Sequence, residues 1–184
     1  MQRLLEWLGS TSWSVALLES FWVWPLVEST HVLTVFLFFG TVAMNDLRLL
    51  GWALKSVPIS EVTSRLLPWT RGGFVAMAIT GGLIFYADPV HYYHNIFFRF
   101  KVLLLIVAGI NAFVFHRKIH QRVVEWDQEP ALPREARVAG AISLVAWATI
   151  IIAGRLIAYS WFDCDIQPQP DLVNWVAGCA VEAD

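Results

Sequence analysis

The sequence predicts an all-α integral membrane protein, a four-helix bundle preceded by an N-terminal interfacial amphipathic helix. Of its 184 residues, 57% are hydrophobic and 15% are charged, and the mean hydropathy is +0.56. A soluble domain of this length cannot hide so much apolar surface. The formal net charge of −2 provides no basic surface for nucleic acid. We therefore expect the lipid bilayer to surround most of the chain.

Residues 1–22 are expected to form one or two short amphipathic helices that lie in the membrane interface. The Gly-Ser-Thr-Ser run at 9–12 is typical of a helix break followed by an N-cap. The segment lacks the basic start, apolar centre and small-residue cleavage site of a secretory signal. We therefore expect it to be part of the mature protein.

Four spans are expected within a transmembrane domain of residues 23–160. Their approximate ranges are 23–45, 72–88, 96–116 and 138–159. The charge-free core of each is shorter than the about 20 residues that cross a bilayer. Charged residues at their ends must therefore lie near an interface or pair in the interior. For Lys101 and Arg155, long side chains that reach the interface are the simpler alternative.

The distribution of Lys and Arg predicts the orientation of these spans. The connections 45–71 and 116–137 hold nine of the thirteen basic residues. The positive-inside rule then places both connections in the cytoplasm. Both termini, including an acidic tail of residues 161–184, are expected in the periplasm of a bacterial inner membrane. Cys164 and Cys179 lie in this tail, and the sequence leaves open whether they form a disulfide or stay free thiols.

The candidate chemistry rests on histidine, a common ligand of haem iron, copper and zinc. His31 lies in the first span one turn after Glu28, and ionisable groups at that depth need partners. Helical rise separates His31 from His116 by roughly 15 to 20 Å, so these two cannot share one haem. His94, at the start of the third span, is the better placed second ligand. His31 and His94 are therefore the predicted metal ligands.

Two cations are expected at the same end of the bundle. Arg155 is the predicted partner of the haem propionates, and Lys101 is a propionate partner or a substitute second ligand. A cofactor-free alternative stays open, in which Glu28 pairs with Arg155 or Lys101 and His31 bonds a neighbouring helix. These four residues, with His94, form the predicted cofactor site.

Three further features have simpler interpretations. His116 and His120 lie beside basic residues and are expected on a solvated interfacial face rather than in a metal site. Asp46 and Arg48, just past the first span, are expected to form an interfacial ion pair. Trp175 indicates that the tail docks on the membrane or on a partner.

Six short motifs carry a resemblance to known proteins. They are Pro25–His31, Asn45–Gly51, Leu66–Trp69, Arg99–Lys101, Asn111–His116 and Ala153–Arg155. Over most of residues 1–160 the chain resembles an uncharacterised bacterial family of four-helix integral membrane proteins. More distantly, it is similar to copper-resistance protein D, cytochrome b561-like and haem-binding protoporphyrinogen oxidase membrane domains. The resemblance implies a haem or copper site around His31 with Lys101 nearby.

The predicted function is that of an inner-membrane protein that binds haem b and serves as an electron-transfer or membrane-anchor component. The paired histidines of a di-haem cytochrome b561 are missing, and no residue is identified as a catalytic base. One alternative is a cofactor-free accessory or structural subunit of a larger respiratory or photosynthetic membrane complex. A third is copper transport or sensing, although the chain has no Met-rich or Cys-rich copper string. Other membrane protein subunits are expected partners.

Overall fold

A computed structural model describes residues 2–118, 126–127 and 132–179, and only the backbone of residues 116–118. Within these residues the protein is all-α, which confirms the predicted fold class. The helices are α1 (Gln2–Gly9), α2 (Ser12–Leu18), α3 (Val23–Leu50), α4 (Ile59–Ala87), α5 (Pro89–His94), α6 (Ile96–Lys118), α7 (Arg134–Leu156) and α8 (Asp171–Ala177). A 3-10 turn, Ile157–Tyr159, extends α7.

Three of the long helices are long and apolar enough to cross a membrane: Val23–Leu50, Ile96–Phe115 and Arg134–Tyr159. At about 1.5 Å per residue each reaches the about 30 Å of a hydrocarbon core. Large apolar side chains cover their outward faces, with Phe36 69%, Ile106 55% and Ile152 60% exposed. Helices that are apolar on all sides are typical of a lipid environment.

Helix α4 is as long as the others but begins with charged turns. It starts at Ile59, earlier than the predicted residue 72, and carries Glu61, Arg65 and Arg71 before its apolar half. Pro68 lies inside it, where its missing N–H costs one helical hydrogen bond. Helix α3 likewise continues past the predicted residue 45. It ends at Leu50, and the capping residue Gly51 has a φ of 72°, the left-handed conformation that glycine adopts readily.

The long helices surround a common interior. Helix α3 packs along α4 and α7, and α6 packs along α7. At the α3–α4 contact, a Cβ on Gly73 would lie 3.2 Å from the backbone of Phe38, so the two helices approach closely there. Thr70 donates a 2.9 Å hydrogen bond to Thr41 across the same contact. Helices α4 and α6 do not pack along each other in this way.

We call the two ends of the bundle the tail end, where α5 and residues 161–179 lie, and the loop end, where residues 51–58 connect α3 to α4. Helices α1 and α2 pack at the tail end. The hydroxyl of Thr11 lies 2.6 Å from that of Tyr86, and Ser14 donates 2.9 Å to the Tyr86 carbonyl. Trp7 and Trp13 stay 65% and 80% exposed. The predicted amphipathic helices therefore exist, and their place in a membrane interface stays a prediction.

The tail folds back onto the tail end of the bundle. A disulfide joins Cys164 to Cys179, which settles the alternative that the sequence left open. Arg99 of α6 donates a 2.7 Å hydrogen bond to the carbonyl of Val176. Trp175 itself is 79% exposed. The tail thus docks on the protein's own helices, through backbone groups that a sequence pattern does not show.

Candidate functional site

A cavity of about 1470 Å³ lies between α3, α4, α6 and α7. It is larger than the about 300–1,000 Å³ that is usual for one small-molecule site. Apolar side chains line most of it, and polar side chains gather towards its two ends. The tail-end cluster comprises Glu28, His31, His91, Tyr92, Lys101 and Arg155. The loop-end cluster comprises Asn45, Asp46, Thr63, Asn111 and Ser143. The cavity therefore brings together four of the five predicted cofactor residues.

The hydrogen bonds of His31 define which ring nitrogen is available. Its Nδ1 lies 2.9 Å from Oγ1 of Thr80, and that hydroxyl is itself 2.8 Å from the carbonyl of Ala76. Because the hydroxyl donates its single hydrogen to the carbonyl, it accepts from Nδ1–H of His31. The pattern thus assigns the proton to Nδ1. The backbone of Met77 also interacts with the imidazole. Nε2 then carries a lone pair, and the hydrogen bond to Thr80 does not use it.

Gly81 of α4 makes room for the imidazole. A Cβ at this position would lie 3.0 Å from Cε1 of His31. The ring therefore rests against the α4 backbone and is held in place by the neighbouring Thr80. Sequence reasoning missed both residues, since a Thr-Gly pair inside an apolar helix is equally typical of ordinary helix packing.

Lys101 reaches across the tail-end cluster from α6 to α7. Its Nζ would lie 3.3 Å from a Cβ on Gly154. It is also close enough to act electrostatically on His31. In the part of the chain that the structure describes, no carboxylate lies within 4 Å of Lys101 or Arg155. The salt bridge of Glu28 with one of these cations, which the cofactor-free alternative expects, is therefore absent from the described residues. The other part of that alternative, a bond from His31 to a neighbouring helix, is confirmed by Thr80 of α4.

Arg155 and Glu28 lie at the rim of the same cluster. The guanidinium of Arg155 stacks over the Tyr159 ring at 4.9 Å. Burial raises the pKa of Tyr92 to about 12, and the carboxylates of Glu28 and Asp88 add to the effect. The Tyr92 phenol is therefore neutral at physiological pH and presents an O–H near the Glu28 carboxylate.

The structure does not bring His94 together with His31. Nδ1 of His94 lies 3.1 Å from the carbonyl of Ala177, so its ring faces the docked tail, and His94 does not line the cavity. His91, one turn earlier, does line the cavity, and its Nδ1 lies 3.8 Å from Asp163. The prediction for His120 and for the side chain of His116 falls outside the described residues.

The described residues form no group of three or more His, Cys, Asp or Glu side chains that could hold a metal ion. A haem places fewer demands on the protein, because the macrocycle already supplies four nitrogen ligands and needs only axial ones.

For Asp46 the structure differs most clearly from the sequence-based prediction. It is only 4% exposed, hydrogen-bonds Ser143 and lines the cavity. No described residue bonds its Oδ2. The predicted ion pair with Arg48 is wrong, because Arg48 turns away and donates 2.9 Å to the carbonyl of Val57. Asp46 lies four residues before the end of α3, and sequence alone does not show that this turn faces a cavity.

Comparison with known proteins identifies the family. Residues 21–160 match the model of a family of unknown function (DUF6644). The chain belongs to this family. The DUF6644 region contains α3 to α7 and both polar clusters, and it ends before the disulfide-bonded tail. No curated protein and no solved structure matches the chain. The distant similarity to copper-resistance protein D, cytochrome b561-like and protoporphyrinogen oxidase membrane domains stays a prediction.

Proposed function

We propose that the tail-end cluster binds one b-type haem with His31 as an axial ligand. The observation that carries this proposal is the hydrogen bond from Nδ1 of His31 to Thr80. Histidines that ligate metals usually donate their other ring N–H in this way, which fixes the tautomer and the ring orientation. The protein then serves as an electron-transfer or membrane-anchor component.

The cavity fits a haem in size and in charge. Its volume of about 1470 Å³ and its apolar lining accept a flat hydrophobic macrocycle. Lys101 and Arg155 line the same end and have no acidic partner among the described residues, so they are available to the two propionates. With His94 turned to the tail, Lys101 is also the second axial ligand that the cluster offers.

The bound haem would accept and release one electron at its iron. The protein's own residues prepare the place for it. Thr80 holds the Nδ1 proton of His31, and Gly81 leaves room for the ring. The cationic groups of Lys101 and Arg155 offset acidic charge that is costly in a low-dielectric interior. The apolar walls of the cavity suit the apolar faces of the macrocycle.

The proposal includes a topology. We place the protein in the bacterial inner membrane with four crossings, α4 being the fourth crossing helix beside the three apolar ones. The excess of Lys and Arg in the connections 45–71 and 116–137 supports a cytoplasmic loop end. Both termini and the haem end of the cavity then lie on the periplasmic side.

The experiment is an absorbance spectrum of protein produced with ample haem and purified in detergent. We expect a Soret band and about one haem b per chain. His31→Ala removes the band, and His94→Ala, the matched control, keeps it. Lys101→Arg keeps the positive charge but cannot ligate, so it separates an axial role from a propionate role. A wild-type protein without haem absorbance contradicts the proposal, and metal analysis of the same sample tests for copper.

A second candidate is favoured by exposed aromatic rings at the tail end. Phe21, Trp22 and Trp175 are 79%, 76% and 79% exposed. Such rings suit contact with the subunits of a larger respiratory or photosynthetic complex, and they suit a membrane interface equally well. Purification from native membranes separates the two functions. Stoichiometric protein partners with no haem in this chain would favour a cofactor-free accessory subunit.

A further inference from the structure

The loop-end cluster is a second polar site in the same cavity. Oδ2 of Asp46 is buried and has no bond from any described residue, whereas Ser143 bonds the same carboxylate. In the neighbouring residue Asn45, Oδ1 accepts a 2.9 Å hydrogen bond from Thr63. The amide N–H groups of Asn45 take no part in this bond. A buried carboxylate oxygen without a donor is costly, so a donor from a ligand is the expected complement.

This cluster is separate from the proposed haem site. Asp46 follows His31 by fifteen residues in the same helix. At about 1.5 Å per residue the two side chains are about 22 Å apart along the helix axis. The cavity volume of about 1470 Å³ also exceeds what one ligand usually needs. A second molecule can therefore occupy the loop end independently of the first.

The lining and the packing favour a ligand that is dissolved in the membrane. Between the clusters the cavity is lined mainly by apolar side chains such as Phe39, Leu66 and Leu105. Helices α4 and α6 meet through the stacked rings of Phe85 and Phe98, whose centroids are 5.4 Å apart, but do not pack along their lengths. Among the described residues, the side of the cavity between these two helices is where we expect a hydrophobic molecule to enter from the bilayer.

A cation on the neighbouring helix α4 lines the same cavity. Arg71 lines the cavity and has no ion-pair partner among the described residues. Its neighbour Thr70 bonds Thr41, which places Arg71 about six residues, or about 9 Å, from the level of Asp46. A carboxylate and a guanidinium at this spacing match a neutral head that donates a hydrogen bond at one side and accepts one at the other.

We propose that the loop-end cluster binds a lipid-soluble quinol, with one hydroxyl donating to Oδ2 of Asp46 and the opposite oxygen accepting from Arg71. A quinol carries its two oxygens on opposite sides of one neutral ring, and its apolar tail suits the lining. A phospholipid head fits less well, because its phosphate would be repelled by the Asp46 carboxylate. The inference goes beyond the proposed haem site and does not depend on it.

The test is calorimetric titration of the detergent-purified protein with duroquinol, under argon and with any haem kept reduced. We expect saturable binding by the wild type. Asp46→Asn weakens it about threefold to tenfold, since one of the two acceptor oxygens is replaced by an NH2 donor. Glu61→Gln is the matched control, because it neutralises an exposed carboxylate at the same end that does not line the cavity. It should leave the affinity unchanged.

Arg71→Gln is the second variant, and its exposed position makes it safe for folding. It should also weaken binding at least several-fold. Absence of saturable binding by the wild type overturns the inference. The inference is also overturned if Asp46→Asn or Arg71→Gln lowers the quinol affinity no more than the control Glu61→Gln does. Haem absorbance measured on the same samples shows separately whether the tail-end proposal holds.

Discussion

The paired variants Gly81→Ala and Gly82→Ala test how the protein holds His31. A methyl group at position 81 would lie 3.0 Å from Cε1 of His31, and one at position 82 meets nothing within 4 Å. Carbon atoms prefer a separation of about 3.5–4.0 Å, so the imidazole in the first variant must move by about 0.5–1 Å. The 2.9 Å bond to Thr80 cannot keep its length after such a shift.

The two substitutions share one effect and differ in another. Replacing glycine by alanine inside a helix contributes about 0.5–1 kcal/mol of stability in both. In Gly81→Ala the lost hydrogen bond costs about 1 kcal/mol, which offsets that gain. We therefore expect Gly81→Ala to be no more stable than the wild type and Gly82→Ala to be slightly more stable. Misplacing the residue that orients a metal ligand typically costs about 10–100-fold in affinity.

The assay is haem titration of both purified variants, followed at the Soret band, with thermal unfolding in detergent as the stability measure. The expected result is haem affinity about 10–100-fold lower in Gly81→Ala and unchanged in Gly82→Ala. Equal affinities in the two variants would refute the reasoning that His31 is held against α4 for ligation.

Three further predictions follow from the packing, the tail and the buried phenol. Gly73→Ala should destabilise the protein by about 1–3 kcal/mol, because its Cβ would press on the α3 backbone at 3.2 Å. Gly72→Ala, whose Cβ would meet nothing within 4 Å, should not destabilise it. Thermal unfolding in detergent compares the two variants. Cys164→Ser with Cys179→Ser should release the tail and speed its cleavage by added protease, because the disulfide closes this loop. The pKa of Tyr92 is raised to about 12 in the folded protein. The neutral phenol therefore contributes its full stabilisation of the fold below about pH 10. This contribution is lost as the pH rises from about 10 to 12, and titration of tyrosinate absorbance against Tyr92→Phe measures it.

Depth along a helix is the feature of the site that the sequence predicts well. Each long helix is marked by an apolar run, and helical rise then places His31, Lys101 and Arg155 at the same end of the bundle. The structure finds these three, together with Glu28, around one cavity. The start of α6 at Ile96 follows from the same apolar run.

Contacts between distant segments are what the sequence does not predict. His94 has the right depth for a second ligand, but the docked tail supplies a carbonyl to its ring, and tail docking depends on tertiary structure. Asp46 lies near a helix end, where an exposed ion pair is the usual outcome. Its burial results from the close approach of α7, where a Cβ on Gly140 would lie 3.3 Å from the Asp46 carbonyl. Neither contact leaves a local pattern in the chain.

The central claim, that His31 ligates a haem iron in this cavity, is tested most directly by chemical rescue. The measurement is the absorbance spectrum of His31→Gly, purified with haem supplied, before and after addition of imidazole. The account predicts a Soret band in the wild type, its loss in His31→Gly and its return when imidazole fills the vacated ligand position. A wild type without the band, or a band that His31→Gly leaves unchanged, would contradict it.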